Sequence, residues 1–153
     1  MIQANAELVE KFLLAAHLCS FAGWSRNWFH KDVCYELSVD RALPIRERFQ
    51  GREAVEDYLS VIRANYQILE PGLRTIVCHD NQVIVHGSEL ARLTLSGRLV
   101  RAQWVASIEI AGNLITKIAM SVYRWTLLPT SGQAVPKSYV LPGCKTLSAR
   151  LEN

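Results

Sequence analysis

The chain has 153 residues, of which 50% are apolar and 20% charged, with a net charge of +3. That length suits one domain able to bury a proper core, and no window nears the roughly eighteen uninterrupted apolar residues of a membrane span. The basic residues are scattered, with Arg46, Arg48 and Arg52 in one group and Arg98 and Arg101 in another. A nucleic-acid surface needs a denser stripe with stacking aromatics, so that class is set aside.

In chain order, residues 6–22 read as a helix with Leu8, Val9, Phe12, Leu13, Ala16 and Cys19 on one face. Within it, FLLAAHLCSFAG (12–23) has the apolar character of a secretory segment. Glu7, Glu10 and Lys11 precede it where a signal peptide carries basic residues, so the expectation is a mature, cytoplasmic chain. Residues 24–32 suit a short helix or turn, with Trp24 and Trp28 sharing a face. DVCYELSV (32–39) alternates weakly as a strand, and IRERF (45–49) as a shorter one. A helix is predicted over 52–66 from the stripe Ala54, Val55, Tyr58, Leu59 and Ile62, entered through Gly51 with Glu53 at its positive end.

Pro71-Gly72 reads as a breaker. Strand-like runs follow over 73–80, 82–95, 98–110 and 113–125, separated by Asp80-Asn81, Ser96-Gly97 and Gly112-Asn113 as hairpin turns. From residue 126 onward periodicity fades, and Pro129, Pro136 and Pro142 mark a tail. The expected division is a domain over 1–125 and a tail over 126–153. Helices early and a sheet late indicate an α+β fold, with the helices on one face of a curved antiparallel sheet around a central pocket.

Cys19, Cys34, Cys78 and Cys144 are widely and irregularly spaced, which argues against a structural zinc site. Cys19, Cys34 and Cys78 sit in apolar stretches and read as small hydrophobes. No ligand spacing and no phosphate-binding glycine loop supports a metal or nucleotide cofactor, so none is expected.

DVCYEL, then FQGREAVEDYL, then the long strands ending in ASIEIAGNLITKI resemble the nuclear-transport-factor-2-like superfamily, in its SnoaL-like and ketosteroid-isomerase-like branch. The motifs carrying the likeness are Gly51-Arg52-Glu53-Ala54 at a helix entry and Ile115-Thr116-Lys117-Ile118 on the final hairpin, and it spans residues 6–125. The resemblance implies a cone-shaped fold whose members include isomerases, cyclases, dehydratases, epoxide hydrolases and non-enzymatic binders. Carried over position by position, the isomerase-like base falls on Leu37, its tyrosine near Leu13 and its second acid near Ala106, all apolar here. An epoxide-hydrolase-like Asp-Arg-Asp set finds no aspartate on the long strands, and the last strand has MSVYRW where SnoaL-like cyclases often place one. A dehydratase-like set of tyrosine, aspartate and histidine is matched by type in Tyr35, Asp40 and His86.

The residues themselves suggest another centre. Val83, Val85, Gly87, Glu89, Ala91, Leu93 and Leu95 alternate onto one face, on which Glu89 is the charge. A carboxylate there must pair, protonate or work, and desolvation is expected to raise its pKa. It reads either as paired with Arg92, Arg98 or Arg101, or as a general acid or base. Alternation puts His86 on the opposite, mixed face with Ile84, Ser88 and Arg92. Leu13, Tyr35, Leu37, Trp104, Ala106, Ile118, Met120 and Val122 are expected to line a cavity or to fill a core. Arg101 and Gln103 point away and suit a homodimer interface. Two readings stay open: a binder of a small hydrophobic, cyclic or polyketide-like compound that isomerises, cyclises or dehydrates it through Glu89 and Tyr35, or a non-catalytic dimeric module similar to ring-hydroxylating oxygenase β-subunits.

Overall fold

The computed structural model describes residues 2–18, 25–39 and 45–129. The elements are α1 (Ile2–Leu18), α2 (Ser25–Trp28), β1 (Phe29–Val39), β2 (Ile45–Gln50), α3 (Arg52–Asn65), β3 (Tyr66–His79), β4 (Gln82–Leu93), β5 (Leu99–Ala111) and β6 (Leu114–Leu127). The strands form one sheet in the order β2-β1-β6-β5-β4-β3. Neighbours run antiparallel except β1 and β6, which pair in parallel, a pairing allowed by the long connection of β2, α3, β3, β4 and β5 between them. The result is an α+β cone: a curved sheet with α1 packed on β3 and β4, and α3 on β1, β2 and β3.

The helix entry at FQGRE is a junction between strand and helix. Gly51 holds φ at 93°, a backbone that other residues rarely adopt. In that conformation its N–H donates to the Val33 carbonyl at 2.7 Å, and its own carbonyl accepts the Val55 N–H at 3.0 Å. Arg52 Nε donates to the Phe29 carbonyl at 3.1 Å, tying the first turn of α3 to β1. The apolar stripe of α3 then buries Val55 and Tyr58. On α1, Val9 and Phe12 are buried, and Asn5 is a buried polar residue whose amide donates to the Asp80 carbonyl at 3.3 Å.

The hairpins turn at Asp80-Asn81 and Gly112-Asn113 as the sequence suggests. Several boundaries differ. α1 starts at Ile2, before the expected residue 6, and β1 starts at Phe29, before the expected residue 32. Three more differences lie further along the chain. The run expected over 82–95 ends at Leu93, and Leu95 lies in the following turn with 67% of its surface exposed. The final strand continues to Leu127, two residues past the expected edge of the domain. The last difference positions the site: α3 stops at Asn65, and β3 begins at Tyr66 and runs straight through Pro71-Gly72. Proline is tolerated there because β3 is an edge strand, where a missing N–H breaks no central ladder. Pro71-Gly72 therefore marks an irregularity within a strand. Cys34 and Cys78 are free thiols; Cys19, Cys144 and the tail from residue 130 lie outside the described residues.

Candidate functional site

Between the concave face of the sheet and the helices lies a cavity of about 210 Å³. Leu13 enters from α1, and Tyr58, Leu59 and Ile62 enter from α3. The sheet contributes Tyr35 and Leu37 from β1, Trp104, Ala106 and Ile108 from β5, and Ile118, Met120, Val122 and Trp125 from β6. Each of the residues expected to line a pocket borders this space, together with Tyr35 and Glu89. A cavity of roughly 150 Å³ accommodates benzene, so this one suits a single substituted ring or a short branched chain.

Among the described residues, two charged side chains, Glu89 and Arg74, interrupt the apolar wall. Cross-strand register explains how each arrives. Pro71, Glu89, Ala102 and Trp125 form one row across β3, β4, β5 and β6. Arg74, Gly87, Trp104 and Val122 form a second row, two positions along β4 and roughly 7 Å away.

Glu89 is held by its neighbours. Trp104 Nε1–H donates to Glu89 Oε1 at 2.7 Å. The indole reaches it by lying across Gly87, where an added Cβ would stand 2.5 Å from Trp104 Cζ2 and 2.8 Å from Cε2. A side chain at position 87 and this pose of Trp104 exclude each other. Tyr66, at the start of β3, supports the same carboxylate. Burial pushes the Tyr66 hydroxyl well above its usual pKa, and the charge of Glu89 and a side-chain hydrogen bond to it push further the same way. Tyr66 accordingly stays protonated and acts as a donor. Arg92 and Arg101, two of the expected partners, are exposed.

Arg74 reaches the cavity across two changes of register, the second of which restores the face that the first reverses. Tyr66 pairs with Leu93 and Ile68 with Ala91, but Pro71 pairs with Glu89 and Arg74 with Gly87, so β3 gains one residue on β4 at each of two bulges. Bulges re-aim side chains. With β3 continued regularly from the Pro71–Glu89 pair, Leu73 would oppose Gly87, and Arg74 would face outward opposite His86. Arg74 Nε is buried and has no hydrogen-bond partner among the described residues. A buried donor left so costs about 1–3 kcal/mol.

The other expected site residues lie elsewhere. His86 is on the outer face, exposed to solvent, where its Nε2 hydrogen-bonds the Tyr123 hydroxyl and the two rings stack with centroids 5.6 Å apart. It is not a cavity residue, because an even offset along β4 separates it from Ile84 and an odd one from Glu89. Asp40 lies outside the described residues. Tyr35 borders the cavity but stands three strands from Glu89 in the sheet order, against Tyr58 at a ring-centroid distance of 5.1 Å. The tyrosine beside the carboxylate is Tyr66. Among the described residues no group of three or more His, Cys, Asp or Glu side chains is arranged to hold a metal ion. A second hollow of about 420 Å³, near β2, β1 and β6, is lined by Glu36, Glu47 and Arg48 among others. Its Glu36 already faces Arg48 at 3.9 Å and Lys117 at 3.7 Å and is 40% exposed.

No family model and no curated protein matches the sequence. Solved structures do. An NTF2-like protein from Burkholderia xenovorans is 20% identical, with 80% of this chain and 91% of that one aligned at a TM-score of 0.66. An LEH-like epoxide hydrolase from M. tuberculosis is 16% identical over 79% of this chain and 84% of its own, at a TM-score of 0.62. A protein from a study on de novo design of diverse pocket structures is 13% identical over 76% and 96%, at 0.61. That natural and designed chains share this architecture separates fold from function. The element order, the cone and these structural likenesses agree: the chain has the nuclear-transport-factor-2-like, SnoaL-like fold.

Proposed function

We propose that the cavity binds a small, largely apolar molecule and that Glu89 moves a proton on it. The observation that supports this is a carboxylate set into an apolar wall and held there by Trp104 Nε1–H at 2.7 Å. A base that works on carbon acids needs a dry, fixed position and nearby donors for the charge it creates. In this reading Glu89 takes the proton from a carbon next to a carbonyl. The enolate oxygen that results takes over the Tyr66 O–H, which Glu89 releases as it becomes protonated and which burial keeps on the tyrosine. Isomerisation, cyclisation and dehydration of a cyclic ketone all share that first step, so the three classes expected from sequence converge on it. An epoxide hydrolase is among the chains of this fold, so the fold hosts catalysis. The expected homodimer has its support on the outer face. There the cross-strand partners Val77 and Ile84 leave 56% and 39% of their surface exposed.

The test is exchange of the α-protons of cyclohexanone in deuterium oxide, followed by proton NMR, with tryptophan fluorescence reporting occupancy. Exchange should be faster by about a hundredfold or more in the wild type than in Glu89→Gln. Equal rates with the ketone bound would leave the non-catalytic binding module as the better reading.

A further inference from the structure

From the position of Arg74 we infer that the ligand carries a carboxylate: the cavity takes a small apolar monocarboxylic acid, its ring or chain against the apolar wall and its carboxylate on the Arg74 guanidinium. The inference rests on the reading of the cavity as a ligand site and adds the chemical class of the ligand.

Three observations carry it. Arg74 borders the cavity, and its Nε is a buried donor with no acceptor among the described residues. Glu89, the cavity's carboxylate, already accepts from Trp104 Nε1. Arg74 lies an even eight residues after the cavity residue Tyr66, and the two bulges of β3 together add two residues, so Arg74 pairs with Gly87 on the inner face. A guanidinium presents its donors in a planar fork that matches a carboxylate, so the acceptor it selects is planar and anionic. The remaining wall is aliphatic and aromatic, and the volume of about 210 Å³ leaves room for one ring beyond the carboxylate. Arg74 and Glu89 sit two positions apart in register. A bound acid can therefore place its carboxylate on Arg74 while Glu89 faces a carbon a few bonds away.

The experiment measures binding of benzoate and of benzamide, its neutral isostere, by isothermal titration to the wild type, Arg74→Gln and Arg74→Lys. Benzoate should bind between about tenfold and a hundredfold tighter than benzamide to the wild type. The preference should vanish in Arg74→Gln and return in part in Arg74→Lys, which rules out a general loss of folding. In parallel, the Nε–Hε resonance of Arg74 should shift on adding benzoate and stay put on adding benzamide. Equal binding of the two compounds by the wild type, or a preference that survives in Arg74→Gln, overturns the inference while leaving the cavity as a ligand site. Failure of both to bind removes the cavity reading and the inference together.

Discussion

Glu89 and His86 lie three residues apart on β4, and the sheet divides them. Glu89 faces a cavity where its carboxylate is fixed by an indole N–H at 2.7 Å. His86 faces outward, is exposed, and meets Tyr123 by stacking and a hydrogen bond. Successive side chains on a strand point to opposite faces, so an odd offset is enough to change the surroundings completely. On the outer face, water can replace any partner that is lost. On the inner face a polar group depends on the partners the fold supplies, and the same residue types there have consequences for binding and chemistry that they lack outside.

Gly87, between the two, is where that contrast can be broken most severely. A methyl group at this position would overlap the rigid six-membered edge of the Trp104 indole. The ring must then leave its place, and its N–H leaves Glu89. Gly87→Ala should lower stability by about 1–3 kcal/mol, as overpacking does, and should change the near-ultraviolet circular dichroism of the tryptophans. Urea unfolding checks the first and spectroscopy the second. An unaltered spectrum with full stability would show that the indole does not depend on the space above Gly87.

A smaller effect, with a defined pH dependence, is expected from Tyr66. Its pKa is raised in the folded protein above the usual value of 10.0. The native state thus keeps a proton that the unfolded chain has released. Stability from this group is complete below about pH 10 and is lost as pH climbs toward the folded pKa. Tyr66→Phe should cost about 0.5–1.5 kcal/mol at neutral pH by removing a donor from Glu89. It should also flatten part of the decline in stability seen above pH 10. Chemical denaturation at a series of alkaline pH values measures both, and an unchanged slope would mean that another group titrates there.

Glu89 and Trp104 could be read from the sequence because both lie on runs with clean alternation, where period two fixes the face. The cone and its lining were legible for the same reason. The family likeness worked differently: it offered His86 as one of a set chosen by residue type, whereas alternation had already turned it outward, and register decides which side a residue serves. Arg74 and Tyr66 were missed for one cause. Pro71-Gly72 reads as a breaker after a helical region, which leaves Tyr66 in the helix and makes the segment after it a fresh strand. A proline and a glycine within an edge strand also signal bulges, and that signal was present. Within that strand Arg74 alternates with Ile76 and Cys78, which pack on the core, so its face was legible; what local periodicity does not supply is the pairing with β4 that sets it opposite Gly87, beside Glu89. The partners of Glu89 had the same limit, since they come from β3 and β5 and are settled by tertiary packing.

The smallest effect is expected on the outer face. If the faces are as separate as the register makes them, His86→Ala should do little. The side chain is exposed, its partner Tyr123 can turn to water, and substitutions of that kind usually stay within about 0.5 kcal/mol. Deuterium exchange into cyclohexanone should match the wild type within about twofold, because no atom of His86 borders the cavity. The measurement is informative despite its small expected size. Glu89→Gln and His86→Ala alter the same strand at positions 10 Å or so apart, so a shared loss of activity would point to damage in β4 itself. Loss in Glu89→Gln alone would tie the chemistry to the inner face, and loss in His86→Ala alone would overturn the division between the faces.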